Sequence, residues 1–187
     1  MTIKHVFADI DGVLVGTQKN INFPQPNHKT IVALLKLINH EIGLSLLTAK
    51  ASFAALPLIK QIPSDNWHSG DNGATLINGR DLSIKLNSCI KPKIVLAILP
   101  KIMNFCCEFF TQNDWYLLRK DYKFQAIIDF HHEILQKQPH VLKPAQLSEL
   151  DVIKITIIAQ DESEIEMINK IFQPFDDDLD LKWFINP

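Results

Sequence analysis

Asp9 and Asp11 stand two residues apart in the string Ile3-Lys4-His5-Val6-Phe7-Ala8-Asp9-Ile10-Asp11-Gly12-Val13-Leu14. A short apolar run ends in an acid, skips one position, and repeats the acid before a glycine. Carboxylates are expelled from apolar interiors unless they are paired or bound to a metal. Two of them at the carboxyl end of a buried strand stand where open α/β sheets place their ligands. The same letters also suit a strand cap at Asp9 followed by an ordinary turn at Asp11-Gly12. The choice depends on what the rest of the chain puts beside them.

Strand and helix alternate over the first part. Phe23-Pro24-Gln25-Pro26 reads as a linker, and Asn27 as the cap of a helix carrying Ile31, Leu34, Leu35 and Ile38 at helical spacing. Gly43 should end that helix, and Leu44-Ser45-Leu46-Leu47-Thr48 reads as a second buried strand. A strand–helix–strand unit of this length implies a parallel pair with a right-handed crossover. A second helix is expected from Ser52 to Ile62, restarted at Pro57. After Trp67-His68-Ser69-Gly70-Asp71-Asn72-Gly73, the Asn78-Gly79 pair signals a two-residue hairpin between Leu76-Ile77 and Leu82-Ser83-Ile84.

From about Arg80 the pattern changes. Lys91-Pro92 opens a long apolar helix, interrupted or restarted at Pro100. The apolar stretch containing Cys106 and Cys107 reads as helix-like, Trp115 to Arg119 as a strand, and Lys123 to Gln136 as a helix. Pro139 and Pro144 bracket a loop. Val152 to Ile158 is a strand, and Asp161 and Glu164 resemble a capping box. Leu179 to Ile185 is the last strand candidate. These elements suggest an α+β unit with a mostly antiparallel sheet, inserted after the α/β portion.

Three strings occur in order: Asp9-Ile10-Asp11-Gly12-Val13-Leu14, then Gly43-Leu44-Ser45-Leu46-Leu47-Thr48-Ala49-Lys50, then Asp71-Asn72-Gly73-Ala74-Thr75-Leu76-Ile77. They resemble motif I, motif II and the following N-G-A string of the haloacid dehalogenase (HAD) superfamily, Cof-type branch. Val152-Ile153-Lys154-Ile155 resembles a strand late in that branch's inserted cap. The resemblance implies a partial Rossmann-like parallel-sheet core at residues 1–79, to which 179–187 would return, and an α+β cap domain at 80–178. Two departures stand out. The second motif reads Thr-Ala-Lys where the branch has Thr-Gly-Arg. The sequence also stops at Pro187, before the family's motif III lysine and motif IV acids, so a naturally short form and an amino-terminal fragment are both open readings.

By the resemblance, Asp9 is the nucleophile that becomes an aspartyl-phosphate. Asp11 is the general acid toward the leaving oxygen and then the base toward water. The Asp9–Gly12 loop, through Ile10 and Gly12, would offer backbone amides to an anion. Thr48 and Ala49 complete the phosphate-binding set, with Lys50 and Asn72 as substrate or core contacts. Mg²⁺ is the expected metal, held by the Asp9 carboxylate and the Asp11 backbone carbonyl. A dianionic phosphate facing ionised Asp9 costs roughly 8 kcal/mol at 4 Å and an effective dielectric of 20, so a divalent cation is needed. The implied substrate is a small phosphorylated metabolite, with sugar phosphates plausible. The competing reading is a catalytically silent relative that binds or interacts.

Other features point away from chemistry. A formal net charge of −2 without a basic block argues against nucleic acid. No apolar stretch approaches membrane-spanning length, and no signal-peptide pattern opens the chain. Cys89, Cys106 and Cys107 lack metal spacing and read as reduced, partly buried thiols of a cytoplasmic protein. His131-His132-Glu133 reads as a surface run, because adjacent helical histidines face different directions. Trp115, Tyr116 and Phe124 suit either core packing or a cap surface. The acids from Asp176 to Asp180 read as a solvated turn. Without further strands beside it, the Val6-Phe7-Ala8 strand would be an exposed edge, favouring a homodimer or a complementing carboxyl-terminal fragment.

Overall fold

The computed structural model describes residues 2–119 and 122–183. Strands β1 (His5–Ala8) and β2 (Gly43–Leu46) run parallel, with Ala8 opposite Leu46. Helix α1 (His28–Asn39) connects them. The Asn27 side chain accepts from the Thr30 amide at 3.0 Å, and Ile31 and Leu34 are buried. The helix stops before Gly43, because Glu41 turns the chain with a left-handed φ of 58°. Gly43 instead opens β2, where a Cβ would lie 2.2 Å from His5 Nδ1. Its missing side chain makes room for the histidine ring, whose Nε2 lies 3.0 Å from Ser45 Oγ.

Helix α2 (Ser52–Ile59) runs through Pro57 without restarting. Buried Ala54, Ala55, Leu58 and Ile59 hold it on both sides of the proline, offsetting the lost backbone bond. Strands β3 (Trp67–Gly70), β4 (Thr75–Asn78) and β5 (Ile84–Leu86) form an antiparallel sheet. One parallel bridge, Leu47 to Ser69, joins β3 to the end of β2. The expected parallel core is thus one strand pair and one bridge among the described residues, and the rest of this half is antiparallel. His68, buried on β3, accepts the Leu46 amide at Nδ1 (3.0 Å) and reinforces that junction. Burial pulls its pKa down to about 4.

The expected tight hairpin is longer than two residues. Asn78 donates to Ser83, leaving four residues between them. Asn78 Oδ1 accepts from the Arg80 and Asp81 amides, and Leu82 takes a left-handed φ of 61°. The asparagine therefore organises a wider side-chain turn.

Helix α3 (Pro92–Ile102) continues through Pro100. Cys106 and Cys107 are not helical. They open strand β6 (Cys106–Phe110), which is buried along its whole length. A segment buried on both faces, apolar except for Glu108, has no period that separates a strand from a buried helix. Strands β7 (Trp115–Leu117) and β9 (Lys154–Ile158) flank β6 antiparallel, and β8 (His140–Val141), within the expected Pro139–Pro144 loop, pairs parallel with β7. Helices α4 (Gln125–Leu135) and α5 (Glu162–Phe172) complete this half. Asp161 caps α5 by accepting from Glu164 at 3.0 Å. Residues 179–183 carry no strand, and the remainder of that expected strand lies outside the described residues.

Cys89 is exposed rather than partly buried. The Cys107 thiol is pushed up to about 12, chiefly by burial, so it is inert at neutral pH. Trp115 is fully buried and donates to Lys137 O at 2.9 Å, a packing role. Lys91 pairs with Asp178 at 2.6 Å on the surface. One cluster, around Ile10, Leu44, Leu46 and Ile77, fills the first half, and another, around Ile98, Phe109 and Val152, fills the second. A third joins them, packing Ala51 and Ala54 against Phe110, Trp115 and Phe124. Strand β1 is not buried on both faces as expected: Phe7 is 64% exposed, and β2 is the only strand paired with β1 among the described residues.

Candidate active site

Three loops meet where β1, β2 and β3 end. Leu47 donates to Ala8 O at 2.9 Å, so Asp9 and Thr48 leave adjacent parallel strands at the same end. The Thr48 amide donates to Ser69 O at 3.0 Å, and the Asn72 amide to Thr48 O at 3.1 Å. Asp9, Asp11, Thr48, Ala49, Lys50 and Asn72 therefore share one end of the structure.

Lys50 forms the tightest connection. Its Nζ donates to both Asp11 oxygens, at 2.9 and 3.1 Å. The lysine side chain is 3% exposed and the Asp11 side chain 49%. A buried ammonium thus reaches out to a half-solvated carboxylate and holds the Asp11 loop on the Thr48 loop. Asp9 is exposed, and its Oδ1 accepts the Ile10 amide at 2.6 Å. Its Oδ2 receives no donor among the described residues, so that oxygen is available to an incoming group.

The amides expected around an anion are partly committed. Gly12, at φ 82°, donates to Val15 O at 2.8 Å, while Ile10 serves Asp9. In this conformation neither amide points to an external anion. Thr48 Oγ1 accepts the Lys50 amide at 3.1 Å, which leaves the hydroxyl hydrogen free to donate. Oxygen donors from the Asp9 carboxylate and the Asp11 carbonyl suit a hard cation such as Mg²⁺, which keeps several waters. Among the described residues no third carboxylate, histidine or cysteine joins them in a metal-sized cluster.

Asp71 supports this arrangement from beneath. It is buried, and its Oδ2 accepts from the Ser52 amide (3.0 Å) and the Thr75 hydroxyl (3.1 Å). Asp71, Asn72 and Gly73 hold φ of 51°, 56° and 93°. Such backbone is costly outside glycine, and Asp and Asn tolerate it best. The Asp-Asn-Gly string is thus what the turn below Thr48 requires.

The profile of the haloacid dehalogenase-like hydrolase family matches residues 6–184. The chain belongs to that family. Its fold is that of the Cof-type, subclass IIB branch. A haloacid dehalogenase-like hydrolase from Bacteroides thetaiotaomicron has a TM-score of 0.78 at 12% identity, over 95% of this chain and 66% of that one. A HAD-superfamily phosphatase from the same organism gives 0.69 at 18%, over 90% and 60%. A subclass IIB sugar phosphatase gives 0.63 at 18%, over 90% and 63%. The chain thus spans about three-fifths to two-thirds of those chains. Comparison with curated protein sequences found no match.

Three residues of this HAD-like site were not singled out from sequence. Asp71 was legible only as turn chemistry. Lys154, a lone lysine in the apolar string Val152–Ile158, carried a signal in its isolation, and its Nζ donates to Ala49 O at 3.3 Å. Glu108 is fully buried on β6 and meets His131 Nδ1 at 2.7 Å. The expected surface run His131-His132-Glu133 is therefore part-buried, with His131 drawn inward by that carboxylate.

Proposed function

We propose that this HAD-like chain is a Mg²⁺-dependent hydrolase of small phosphate monoesters, sugar phosphates among them, working through an aspartyl-phosphate at Asp9. The observation that carries the reading is the convergence of Asp9, Asp11, Thr48 and Lys50 at one end of β1 and β2. Residues 80–178 act as a cap over a core of 1–79, and the reaction belongs in the cytoplasm.

The Asp9 carboxylate attacks phosphorus, and the ester oxygen leaves with a proton supplied by Asp11. Asp11, now ionised, takes a proton from water, whose oxygen attacks the same phosphorus. The bond to Asp9 breaks, inorganic phosphate departs and Asp11 regains its proton. Thr48 donates its hydroxyl to a phosphate oxygen. Lys50 fixes Asp11 and brings positive charge to the site. When bound, Mg²⁺ held by Asp9 and the Asp11 carbonyl would offset the repulsion between phosphate and carboxylate.

A second reading is a binding protein without turnover. The Lys50 contact with both Asp11 oxygens favours it, since those oxygens must leave the ammonium before one can serve a leaving group. Phosphate release from 4-nitrophenyl phosphate with Mg²⁺ separates the two. Turnover lost in Asp9→Asn supports the hydrolase, and tight phosphate-ester binding without turnover supports the binding protein.

A further inference from the structure

Lys154 stands beside the site and takes no part in the reaction above. It lies on β9 opposite Phe110 of β6, and its Nζ stands 4.3 Å over the Phe110 ring. That sheet face also carries Glu108 opposite Thr156 and packs on Ala51 and Ala54, just beyond the Thr48–Lys50 loop. The Nζ hydrogen bond to Ala49 O places a cation beside the residue between Thr48 and Lys50. The side chain is half-buried, with protein crowding its stem.

An ammonium withdrawn from water calls for an anion. Glu108 is already engaged by His131, and Asp71 through Oδ2 by Ser52 and Thr75, while Asp71 Oδ1 is buried with no hydrogen-bond partner among the described residues. Among the described residues no carboxylate forms an ion pair with Lys154. Its partners are a neutral carbonyl and a ring face, which occupy one of its three hydrogens and one side of its charge. Burial lowers its pKa and the Lys50 charge adds to that, while the charges of Asp71 and Glu108 oppose the shift.

We infer that Lys154 selects substrates, binding a second anionic group on the part of the phosphate ester that leaves. The inference rests on the proposed phosphate site at Asp9 and Thr48, and it narrows the substrate class to phosphate esters bearing a carboxylate or a further phosphate. Glycosyl and alkyl phosphates without a second charge are the poorer ligands.

A matched three-carbon set tests this: propyl phosphate, 3-(phosphonooxy)propanoate and propane-1,3-diol bisphosphate. Affinities are measured by calorimetry with Mg²⁺ on the 187-residue chain carrying Asp9→Asn, alone and combined with Lys154→Met or Lys154→Arg. Turnover is measured in parallel on chains retaining Asp9. With Lys154 present, the two charged probes should bind roughly tenfold or more tightly than propyl phosphate, as one charge-assisted contact provides. Lys154→Met should bring the ratio near one, and Lys154→Arg should restore most of it. Comparison of the two charged probes tells a carboxylate from a phosphate. Equal affinities with Lys154 present, a uniform loss for all three probes in Lys154→Met, or no binding of any probe would overturn the inference. A uniform loss would make Lys154 a tether for the Ala49 loop. Preferential binding without turnover would remove the hydrolase reading and leave the Lys154 assignment standing.

Discussion

Lys50 Nζ lies 2.9 and 3.1 Å from the two oxygens of Asp11, joining the loop after β2 to the loop after β1. The burial of the two partners is unequal, so their removal should be unequal too. Asp11→Ala leaves an ammonium buried and unpaired, and should cost about 2–3 kcal/mol of stability. Lys50→Met leaves a half-exposed carboxylate that water can solvate, and should cost under about 1 kcal/mol. Urea unfolding of both variants checks the order. A larger loss for Lys50→Met would show that the pair is not organised as described.

His68 sets a pH dependence of stability. Its folded pKa, about 4, lies below the ordinary value of 6.5. Between those values the unfolded chain holds the proton and the folded chain does not. Stability from this group is therefore complete above pH 6.5 and falls as pH drops toward 4, by about 3 kcal/mol in all. Denaturant midpoints from pH 7.5 to 4, for the wild-type chain and His68→Asn, should show that slope only with His68 present. Parallel curves would refute the assignment.

Asp71 should matter more to structure than its surface position in the string suggests. Asp71→Ala removes the acceptor for the Ser52 amide and the Thr75 hydroxyl, both buried. A loss of about 2–3 kcal/mol follows from leaving such donors unpaired. Asp71→Asn, which keeps one acceptor oxygen, should retain about half of it. Thermal unfolding of the two variants decides this. Equal losses would mean that the charge, rather than the acceptor, supports the turn.

Phe7 of β1 and Ile3 just before it are 64% and 66% exposed, and β1 has one side unpaired among the described residues. Such an edge invites strand addition. Light scattering over a concentration series should show self-association of the 187-residue chain, reduced by Phe7→Lys. A single monomeric mass at every concentration would count against it.

Much of this was readable before any coordinates. The Asn27 and Asp161 caps, the β1–α1–β2 unit and the meeting of Asp9 with Thr48 follow from local rules and from the order of three strings. The errors share a cause. Cys106 to Phe110 is buried at every position because β6 packs on both faces, so its residues show no alternation that could announce a strand. Pro57 and Pro100 suggested breaks that packing overrode. Asn78 advertised a tight turn, but its own side chain organised a wider one. Lys50, Asp71 and Lys154 act through contacts across 39, 19 and 105 residues. No spacing rule reaches that far.

The central claim is that Asp9 becomes covalently phosphorylated, and one measurement reads it directly. The 187-residue chain is turned over with a phosphate ester and Mg²⁺ in H₂¹⁸O under single-turnover conditions. The position of the label is then found by peptide mass spectrometry. Because water attacks the phosphorus of the aspartyl-phosphate, the account predicts ¹⁸O in the first phosphate released and none in the Asp9 carboxylate. It also predicts an acid-trapped phosphoryl group on the Asp9 peptide, absent in Asp9→Asn. Phosphate released by the wild-type chain with no phosphoryl group trapped at Asp9, and at an unchanged rate in Asp9→Asn, would contradict it.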